Sequence, residues 1–512
     1  IVAACPRSTE NRVVMLGTID RDAMQAAFAL PSRRMHYYGG AWHASASGAT
    51  VAVKDPATGM GLGNVADGSA EDADRAVLAA HAAFAGWRDT PAQERARCIR
   101  AASAILLAHR DELAWLDAVD TGNPLQAMRY DVDISAAYMD HFAGLVTEVK
   151  GATIPIAPGI LNYTLREPLG VVARIGAFNH PLLFVGGKAA APLAAGNTLV
   201  IKPAELTPLS ALRIAELWHD VFPPGVFNVV TGGREAGAAL AAHPRVAKIG
   251  FIGSVTAGRA VMQAAAATLK PLTLELGGKN ALIACADASP AEIGEGVVRG
   301  MNFRYVTGQS CNSTSRVYVH ERIHDLALEE IVRNVAALRV GLPTDADTEM
   351  GCLSSQAQFD KTLAYIRLGQ EEGARLVHGG KRIVDPRLAN GYFVEPTVFA
   401  DVTDRMRIAR EEIFGPVVCI LRWSDEDDVV ARVNALDYGL TASIWTHDLD
   451  RAHRLASRIE AGYIWINNAS THHVGVPFGG YKQSGMGREE SIDELLACTQ
   501  IKNVSVTLRR DA

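Results

Sequence analysis

The sequence predicts an α/β protein with two main domains and a small projecting β arm. From Gly170 onward, short apolar runs rich in β-branched residues alternate with helical segments, which is typical of a parallel sheet covered on both faces. A second series of strands and helices begins after Gly278. Two extended segments, residues 149–168 and 498–512, lie far apart in the chain and are suited to pair as an arm.

The first predicted sheet has five strands separated by helices. The strands are GVVARIGAF, TLVIKP, FNVVTG, AKIGFIG and LTLELGG. Pro181 and Pro208 mark the starts of two intervening helices, and Pro192 should kink or shorten the first of them. Right-handed crossovers bring the carboxyl ends of parallel strands to one edge, so we expect a ligand to bind at that edge.

The remaining elements define the other predicted parts of the chain. The second domain has the strands NALIAC, SRVYVH, PVVCILRW, LTASIWT and AGYIWINN. The free edge of the arm should be covered by a partner subunit, because an unpaired edge promotes association. In chain order, the predicted parts are an N-terminal extension (1–34), the first domain (35–148 and 169–277), the arm (149–168 and 498–512) and the second domain (278–482).

The composition is that of an ordinary globular protein and excludes several classes of partner. The chain has 512 residues, of which 48% are hydrophobic, and a net charge of −6, so a nucleic-acid or anionic-membrane partner is not expected. No apolar run approaches the roughly 20 residues of a membrane span. Seven scattered cysteines do not form a disulfide framework and indicate a reduced, cytoplasmic protein. We predict no metal site.

One cysteine, Cys311, lies in the turn TGQSC between a helix and a strand, where side chains are accessible. A lone cysteine is usually a small buried hydrophobe, and the end of a helix does not lower the pKa of a thiol. Chemistry at Cys311 therefore needs groups from elsewhere. Asn179 ends the first strand and is suited to donate to an oxyanion, or simply to cap a helix. Glu275 ends the last strand and is suited to act as a general base, or to pair with Lys279.

Further polar residues at the same predicted edge are suited to hold a nucleotide. Lys202 and Glu205 follow the second strand, where an acidic residue holds ribose hydroxyls in dinucleotide-binding folds. Gly253 and Ser254 end the fourth strand and open a helix, whose first turn favours a pyrophosphate. Each signal is weak alone, since charged loop residues and strand-ending glycines are common.

Six motifs occur together and in order: FNHP, IKPAE, TLELGGK, TGQSC, EEIFGP and PFGGYKQSGMGRE. With them, the chain from about Met35 to its C-terminus resembles the NAD(P)-dependent aldehyde dehydrogenases. The resemblance implies a Rossmann-like cofactor domain, an α/β catalytic domain and a small β oligomerisation arm. It also implies a homodimer or a homotetramer built from dimers.

The resemblance implies a role for each motif residue. Cys311 attacks the aldehyde, while the Asn179 side chain and the Cys311 backbone N–H hold the oxyanion. Glu275 activates the water that hydrolyses the thioester, and Lys188 matches a further site position. The implied cofactor contacts are Lys202, Glu205, Gly253, Ser254, Gly277, Glu411 and Phe414. Glu205 would repel a 2′-phosphate, so NAD is favoured, with NADP as the alternative.

The expected substrate tunnel departs from the family pattern and is more polar and basic. Its predicted residues are His180, Phe184, Arg304, Tyr305, His472 and Phe478. Pairing of Arg304 with an anion favours an aldehyde with a polar or anionic tail. The alternative is that Arg304 forms an internal ion pair and that the histidines are ordinary loop residues. The alternatives are a hydroxylated aromatic aldehyde, which the aromatic residues favour, and acyl transfer to coenzyme A, which Glu275 disfavours. A catalytically idle binding relative, and a thiol hydrolase with His180 as its base, are the other hypotheses.

Overall fold

The computed structural model describes residue 28 and residues 30–508. Its first sheet has eight strands, in the spatial order Ala41–His43, His36–Tyr38, Phe227–Val229, Thr198–Lys202, Val171–Ile175, Val246–Ile252, Leu272–Glu275 and Gly485–Met486. The five strands from Phe227–Val229 to Leu272–Glu275 run parallel and lie in the five predicted runs. Their carboxyl ends are in register, since Ile175 lies opposite Lys202 and Ile252 lies opposite Glu275.

Helices cover both faces of this sheet, as the wholly apolar strands predict. Val172 packs in one core cluster with the helices that precede the sheet, whereas its neighbours Val171 and Ala173 pack in another on the opposite face. The helices associated with this sheet are Ala70–Asp89, Ala92–Ala108, Arg110–Thr121, Leu125–Gly144, Lys188–Ala194, Leu209–Leu217, Arg234–Ala242, Val255–Ala266 and Ile492–Ala497.

The helix after Asn179 is short, and it is preceded by a π-helical turn that the sequence does not predict. Pro192 lies inside the helix Lys188–Ala194, and the turn before it, Leu183–Gly187, is a π-helix. Pro192 has no N–H to donate to the preceding turn, and a π-helical turn accommodates such a local irregularity. The wider turn lies directly before Lys188.

The second sheet has seven strands, in the order Arg375–His378, Thr397–Ala400, Val417–Trp423, Arg316–His320, Ala281–Ala284, Thr441–Trp445 and Tyr463–Ile466. All neighbouring pairs are parallel except the first. The accompanying helices are Pro290–Gly300, Phe303–Val306, His324–Ala336, Gln356–Glu371, Arg407–Arg410, Glu426–Asn434 and Leu449–Ala456. Two antiparallel pairs of strands lie outside these two sheets. They are Thr50–Lys54 with Gly61–Ala66, and Tyr438–Gly439 with Tyr481–Lys482.

The two distant extended segments pair as predicted. The strand Thr499–Thr507 runs antiparallel to Ile160–Pro168 over its whole length, and Thr153–Ile154 adds a third, short strand. Several apolar side chains of this arm are exposed, Ile501 among them at 62%. The C-terminal residues 509–512 of the predicted arm lie outside the described residues.

The ends of the predicted domains are less simple than the sheets. Gly485–Met486 lies beyond residue 482 yet pairs with Leu272–Glu275 in the first sheet. Arg34 is the last residue of the predicted N-terminal extension, and its carbonyl accepts a hydrogen bond from the Ala66 N–H over 2.9 Å. The rest of that extension, residues 1–27 and 29, lies outside the described residues, and the domain boundaries stay predictions. No helix in the described part of the chain is long and apolar enough to cross a bilayer.

Candidate active site

Two cavities open at the carboxyl edge of the first sheet and meet at Cys311 and Glu275. Both residues line both cavities, together with Ile252. The space inside the first cavity is about 710 Å³ and that inside the second about 600 Å³, with the open solvent at their mouths included. The register of the sheet explains the meeting point, because Glu275 ends its strand where the strand Val246–Ile252 also ends.

The turn before Cys311 is held by backbone geometry that few residues adopt. Thr307 and Gly308 both have positive φ, at 56° and 74°, which is a left-handed conformation. A Cβ atom on Gly308 would lie 2.6 Å from the Gly415 carbonyl oxygen, so only glycine fits at this position. After the turn, the Asn280 side-chain amide donates to the Cys311 carbonyl over 2.8 Å.

Cys311 and Glu275 interact directly, and burial favours the protonated form of each. Burial raises the pKa of Glu275 to about 8, although its hydrogen bond with Cys311 opposes the shift. Burial, and then repulsion from Glu275, raise the pKa of Cys311 well above its ordinary value. A carboxyl with a pKa near neutrality is suited to take and return protons.

A chain of hydrogen bonds fixes the two neighbours of Cys311. The Asn312 side-chain oxygen accepts from the Ser310 hydroxyl over 2.7 Å and from Asn302 over 2.8 Å. Its amide nitrogen therefore donates to His472 Nε2, over 2.9 Å. His472 then carries its proton on Nδ1 and donates it to Glu490 over 3.0 Å.

Glu490 belongs to a buried ion network under the first cavity. Lys188 Nζ lies 3.0 Å from a Glu489 oxygen and 3.4 Å from a Glu490 oxygen. Arg174, on the central strand of the first sheet, pairs with Glu489 over 2.6 Å and with Glu494. Burial would raise the pKa of Glu490, but attraction to Lys188 and His472 lowers it to about 2. The network links the sheet to the segment beside Cys311.

Asn179 lies at the second cavity, between the first strand and its helix. Its side chain is 3% exposed and lines this cavity. Two buried side chains hold the backbone around it, Asp117 from the helix Arg110–Thr121 and Asn123 from the loop after that helix. The Asn123 side chain donates to the Asn179 carbonyl over 3.0 Å, and the Leu182 N–H donates to Asp117 over 3.0 Å.

Five of the six predicted tunnel residues line the first cavity: His180, Phe184, Tyr305, His472 and Phe478. Arg304 does not line it, so the prediction that Arg304 faces the substrate is wrong. Arg304 is exposed and donates to Glu295 over 2.7 Å and to Glu349 over 3.1 Å. Its neighbour Tyr305 points inward instead, because successive helical residues face different directions.

Among the predicted cofactor residues, Gly253, Ser254, Gly277 and Phe414 line the second cavity. Glu411 does not line it, and its neighbour Glu412 does, which corrects the prediction by one residue. The Glu411 carboxylate accepts hydrogen bonds from Arg407 and Tyr365 instead. Glu412 accepts from the Gly278 N–H over 3.0 Å, and burial raises its pKa.

Lys202 and Glu205 lie outside both cavities, farther along the same sheet edge. Lys202 Nζ donates to the Pro203 and Gly232 carbonyls over 2.8 and 2.7 Å, and burial lowers its pKa to about 8. Glu205 is exposed, and one of its oxygens lies 2.6 Å from where a Cβ atom on Gly233 would be. The absent side chain at Gly233 therefore leaves room at the amino end of the helix Arg234–Ala242.

The second cavity is lined by groups that are suited to hold part of a dinucleotide. A Cβ atom on Gly277 would lie 2.3 Å from a Glu412 oxygen, so the glycine keeps that carboxyl beside the cavity. Ser254 caps the helix Val255–Ala266, whose first turn is suited to bind a phosphate. Within the described residues, no group of three or more His, Cys, Asp or Glu side chains is arranged to hold a metal ion.

Several cavity residues were not predicted from the sequence. Those at the first cavity are Tyr130, Ile134, Tyr138, Asn302, Asn312, Glu489 and Glu490, and those at the second are Phe178, Gln358, Lys361 and Glu412. Glu489 is the last residue of the motif PFGGYKQSGMGRE and Glu490 follows it, so this motif is a usable signal. The tyrosines lie on the helix Leu125–Gly144, far from any motif, and carry no such signal in the sequence.

Comparisons with known proteins agree with this fold and site. Residues 42–504 match the model of the aldehyde dehydrogenase family. Aldehyde dehydrogenase tropH of Talaromyces stipitatus is 48% identical over 487 residues, which are 94% of each chain. An aldehyde dehydrogenase of Bacillus cereus, solved in complex with NAD⁺, is 40% identical with a TM-score of 0.92 over 96% of this chain and all of the other. PnpE of Pseudomonas sp. WBC-3 is 40% identical with a TM-score of 0.91, over 94% of this chain and 99% of its own.

The fold and the paired cavities define an oxidoreductase of the α/β class with a nucleotide-binding sheet. The chain belongs to the aldehyde dehydrogenase family. It is an NAD(P)-dependent aldehyde oxidoreductase.

The buried ion network gives a prediction about stability. Arg174→Met leaves the Glu489 and Glu494 carboxylates buried without their main cation, which should lower the free energy of unfolding by about 3–5 kcal/mol. Urea unfolding of the purified protein measures the change. Arg304→Met, which removes an exposed cation with two carboxylate partners, is the matched control and should cost less than about 1 kcal/mol. Equal midpoints for the two variants would contradict the structural role of the network.

Proposed function

We propose that the protein oxidises an aromatic aldehyde to the carboxylic acid, with NAD as the hydride acceptor and Cys311 as the nucleophile. One observation carries the proposal: Cys311 and Glu275 are shared by a cavity with aromatic walls and a cavity suited to a dinucleotide. A thiol at this junction can hold a carbonyl carbon while it faces both compartments.

In the proposed reaction, the Cys311 thiol loses its proton to solvent, and its sulfur adds to the aldehyde carbon. The Asn179 side-chain amide and the Cys311 backbone N–H donate hydrogen bonds to the oxyanion. When bound, NAD would supply the acceptor for the hydride that leaves this carbon. Glu275, in its ionised form, takes a proton from the water that hydrolyses the thioester and returns it to the departing sulfur. The free acid leaves, and the thiol is restored.

Residues at the sheet edge support NAD as the cofactor. Glu412 and Ser254 would hold groups of the dinucleotide in the second cavity, and Lys202 with Glu205 would hold its outer ribose. The exposed carboxylate of Glu205 would repel a 2′-phosphate, so NAD is favoured over NADP. The Bacillus cereus relative was solved in complex with NAD⁺, which supports the same choice.

The walls of the first cavity favour an aromatic substrate over one with an anionic tail. Arg304, the cation expected to bind such a tail, lies outside the cavity. The remaining cation, Lys188, already pairs with two carboxylates. Phe184, Tyr305 and Phe478 line the cavity and can pack against an aromatic ring.

A direct test measures the products and the pH dependence of benzaldehyde oxidation. NADH and free benzoate should form in equal amounts, and added coenzyme A should not change the product. Because Glu275 has a pKa of about 8, only roughly a tenth of it is ionised at pH 7. Steady-state turnover should therefore rise about tenfold from pH 7 to pH 9 and fall as the pH drops through 8.

The control variants for this test are Glu275→Gln and Glu295→Gln. Glu275→Gln should give one burst of NADH, lose at least about 100-fold in steady turnover and lose the rise with pH. Glu295→Gln, at an exposed ion pair with Arg304, should behave as the wild type does. A flat wild-type profile between pH 6.5 and 9, or a benzoyl–coenzyme A product, would refute the assigned role of Glu275.

We also propose that the protein is a cytoplasmic homodimer, or a tetramer built from dimers, that associates through the arm. The register places Leu161 opposite Val506, and the alternation of side chains puts Leu165 on the same face. All three are exposed, at 36–44%. A row of apolar side chains on a projecting sheet is suited to a second copy of the chain.

Leu165→Glu should therefore shift the protein to a smaller species, because it places a charge inside the proposed interface. Size-exclusion chromatography with light scattering measures the mass. Leu326→Glu, at an apolar residue that is 60% exposed elsewhere, is the matched control and should leave the mass unchanged. An unchanged mass for Leu165→Glu would exclude this face as the interface.

A further inference from the structure

We propose that His180, held by Asp131, binds a hydroxyl group on the aromatic ring of the substrate. The proposal rests on the proposed function, because it assumes that an aromatic aldehyde occupies the first cavity. It adds a specificity site for phenolic or enolic hydroxyl groups to the thiol chemistry of Cys311.

The Asp131 carboxylate is fully buried and serves two side chains. His180 Nδ1 lies 2.9 Å from one carboxylate oxygen, and the Tyr305 hydroxyl donates to the other. Asp131 lies on the helix Leu125–Gly144, and its side chain is 0% exposed. A buried carboxylate needs such donors, because an unpaired one is costly.

This arrangement fixes which atom of His180 is left for a ligand. A carboxylate only accepts, so His180 carries its proton on Nδ1 and donates it to Asp131. In the neutral ring, Nε2 is then the nitrogen with a free lone pair, and no residue in the described part of the chain hydrogen-bonds to it. His180 lines the first cavity and is 8% exposed, so this lone pair is available there.

The surroundings of His180 favour a neutral hydroxyl over a charged group. Its ring contacts Tyr305 and Phe184 at centroid distances of 4.8 and 5.8 Å, and Leu183 and Ile134 line the same cavity. An anion would meet an acceptor nitrogen backed by a carboxylate, which is repulsive. An ammonium group would lose most of its hydration among apolar walls for one neutral acceptor. A hydroxyl needs only that one acceptor.

A site built to accept a hydrogen bond discriminates against a ligand that cannot donate one. Methoxybenzaldehydes keep the ring and the oxygen of hydroxybenzaldehydes but have no hydrogen to donate. For at least one ring position, kcat/KM should favour the hydroxy aldehyde over its methoxy analogue by about 10- to 100-fold in the wild type.

Two variants test the roles of His180 and Asp131. His180→Phe keeps a ring but removes the acceptor, and should bring the hydroxy-to-methoxy ratio to within about threefold of one. Asp131→Asn can donate to Nδ1 and so move the ring proton to Nε2, and should lower the ratio by about 10-fold or more. His320→Phe, in the second sheet, is the matched control and should leave the ratio as in the wild type.

A binding measurement of the hydroxy-to-methoxy preference tests the hydroxyl site independently of the proposed reaction. Isothermal titration of Cys311→Ala with each aldehyde, with and without His180→Phe, gives a ratio of Kd values that does not depend on turnover. Loss of the preference on His180→Phe supports the hydroxyl site even if no aromatic aldehyde is oxidised. A ratio that His180→Phe leaves unchanged, or no preference at any of the three ring positions, overturns it, whether or not benzaldehyde is a substrate.

Discussion

The buried ion network that begins at Arg174 is the constraint on which the site depends. Arg174 lies on the central strand and pairs with Glu489 and Glu494. The adjacent Glu490 accepts a hydrogen bond from His472, which accepts one from Asn312, the residue after Cys311. The segment from Glu489 to Glu494 thereby connects the first sheet to the turn that positions Cys311. Because the charges are buried, each needs its partners in place, and the position of the nucleophile becomes a property of the whole fold.

The resting thiol and its carboxyl neighbour are both buried. Burial favours the protonated form of both Cys311 and Glu275. In the proposed reaction this pair moves one proton at a time, so no step needs two negative charges side by side. The aromatic walls and the His180–Asp131 pair then act on the ring of the substrate, away from the proton transfers.

Much of the fold and the centre of the site follow from the sequence. The five parallel strands were predicted because their runs are continuously apolar and separated by helix signals, and the ends of such strands bring Glu275 and Asn179 to one edge. The errors have local causes. Arg304 and Tyr305 are adjacent on a short helix, so only the packing decides which of them faces the cavity. Glu411 and Glu412 are likewise adjacent, and the choice depends on Arg407 and Tyr365. Asp131 is far from every motif, and only the folded helix brings it to His180.

The most direct test of the proposed chemistry locates the covalent intermediate. The protein, NAD and benzaldehyde would be mixed at pH 6.5, where Glu275 is protonated and hydrolysis is slow, and then quenched in acid during the first turnover. Peptide mass mapping should find a benzoyl group on Cys311, formed in proportion to NADH. NADH formed with no acyl group on any cysteine, or with the acyl group on a cysteine other than Cys311, would contradict the assignment of Cys311 as the nucleophile.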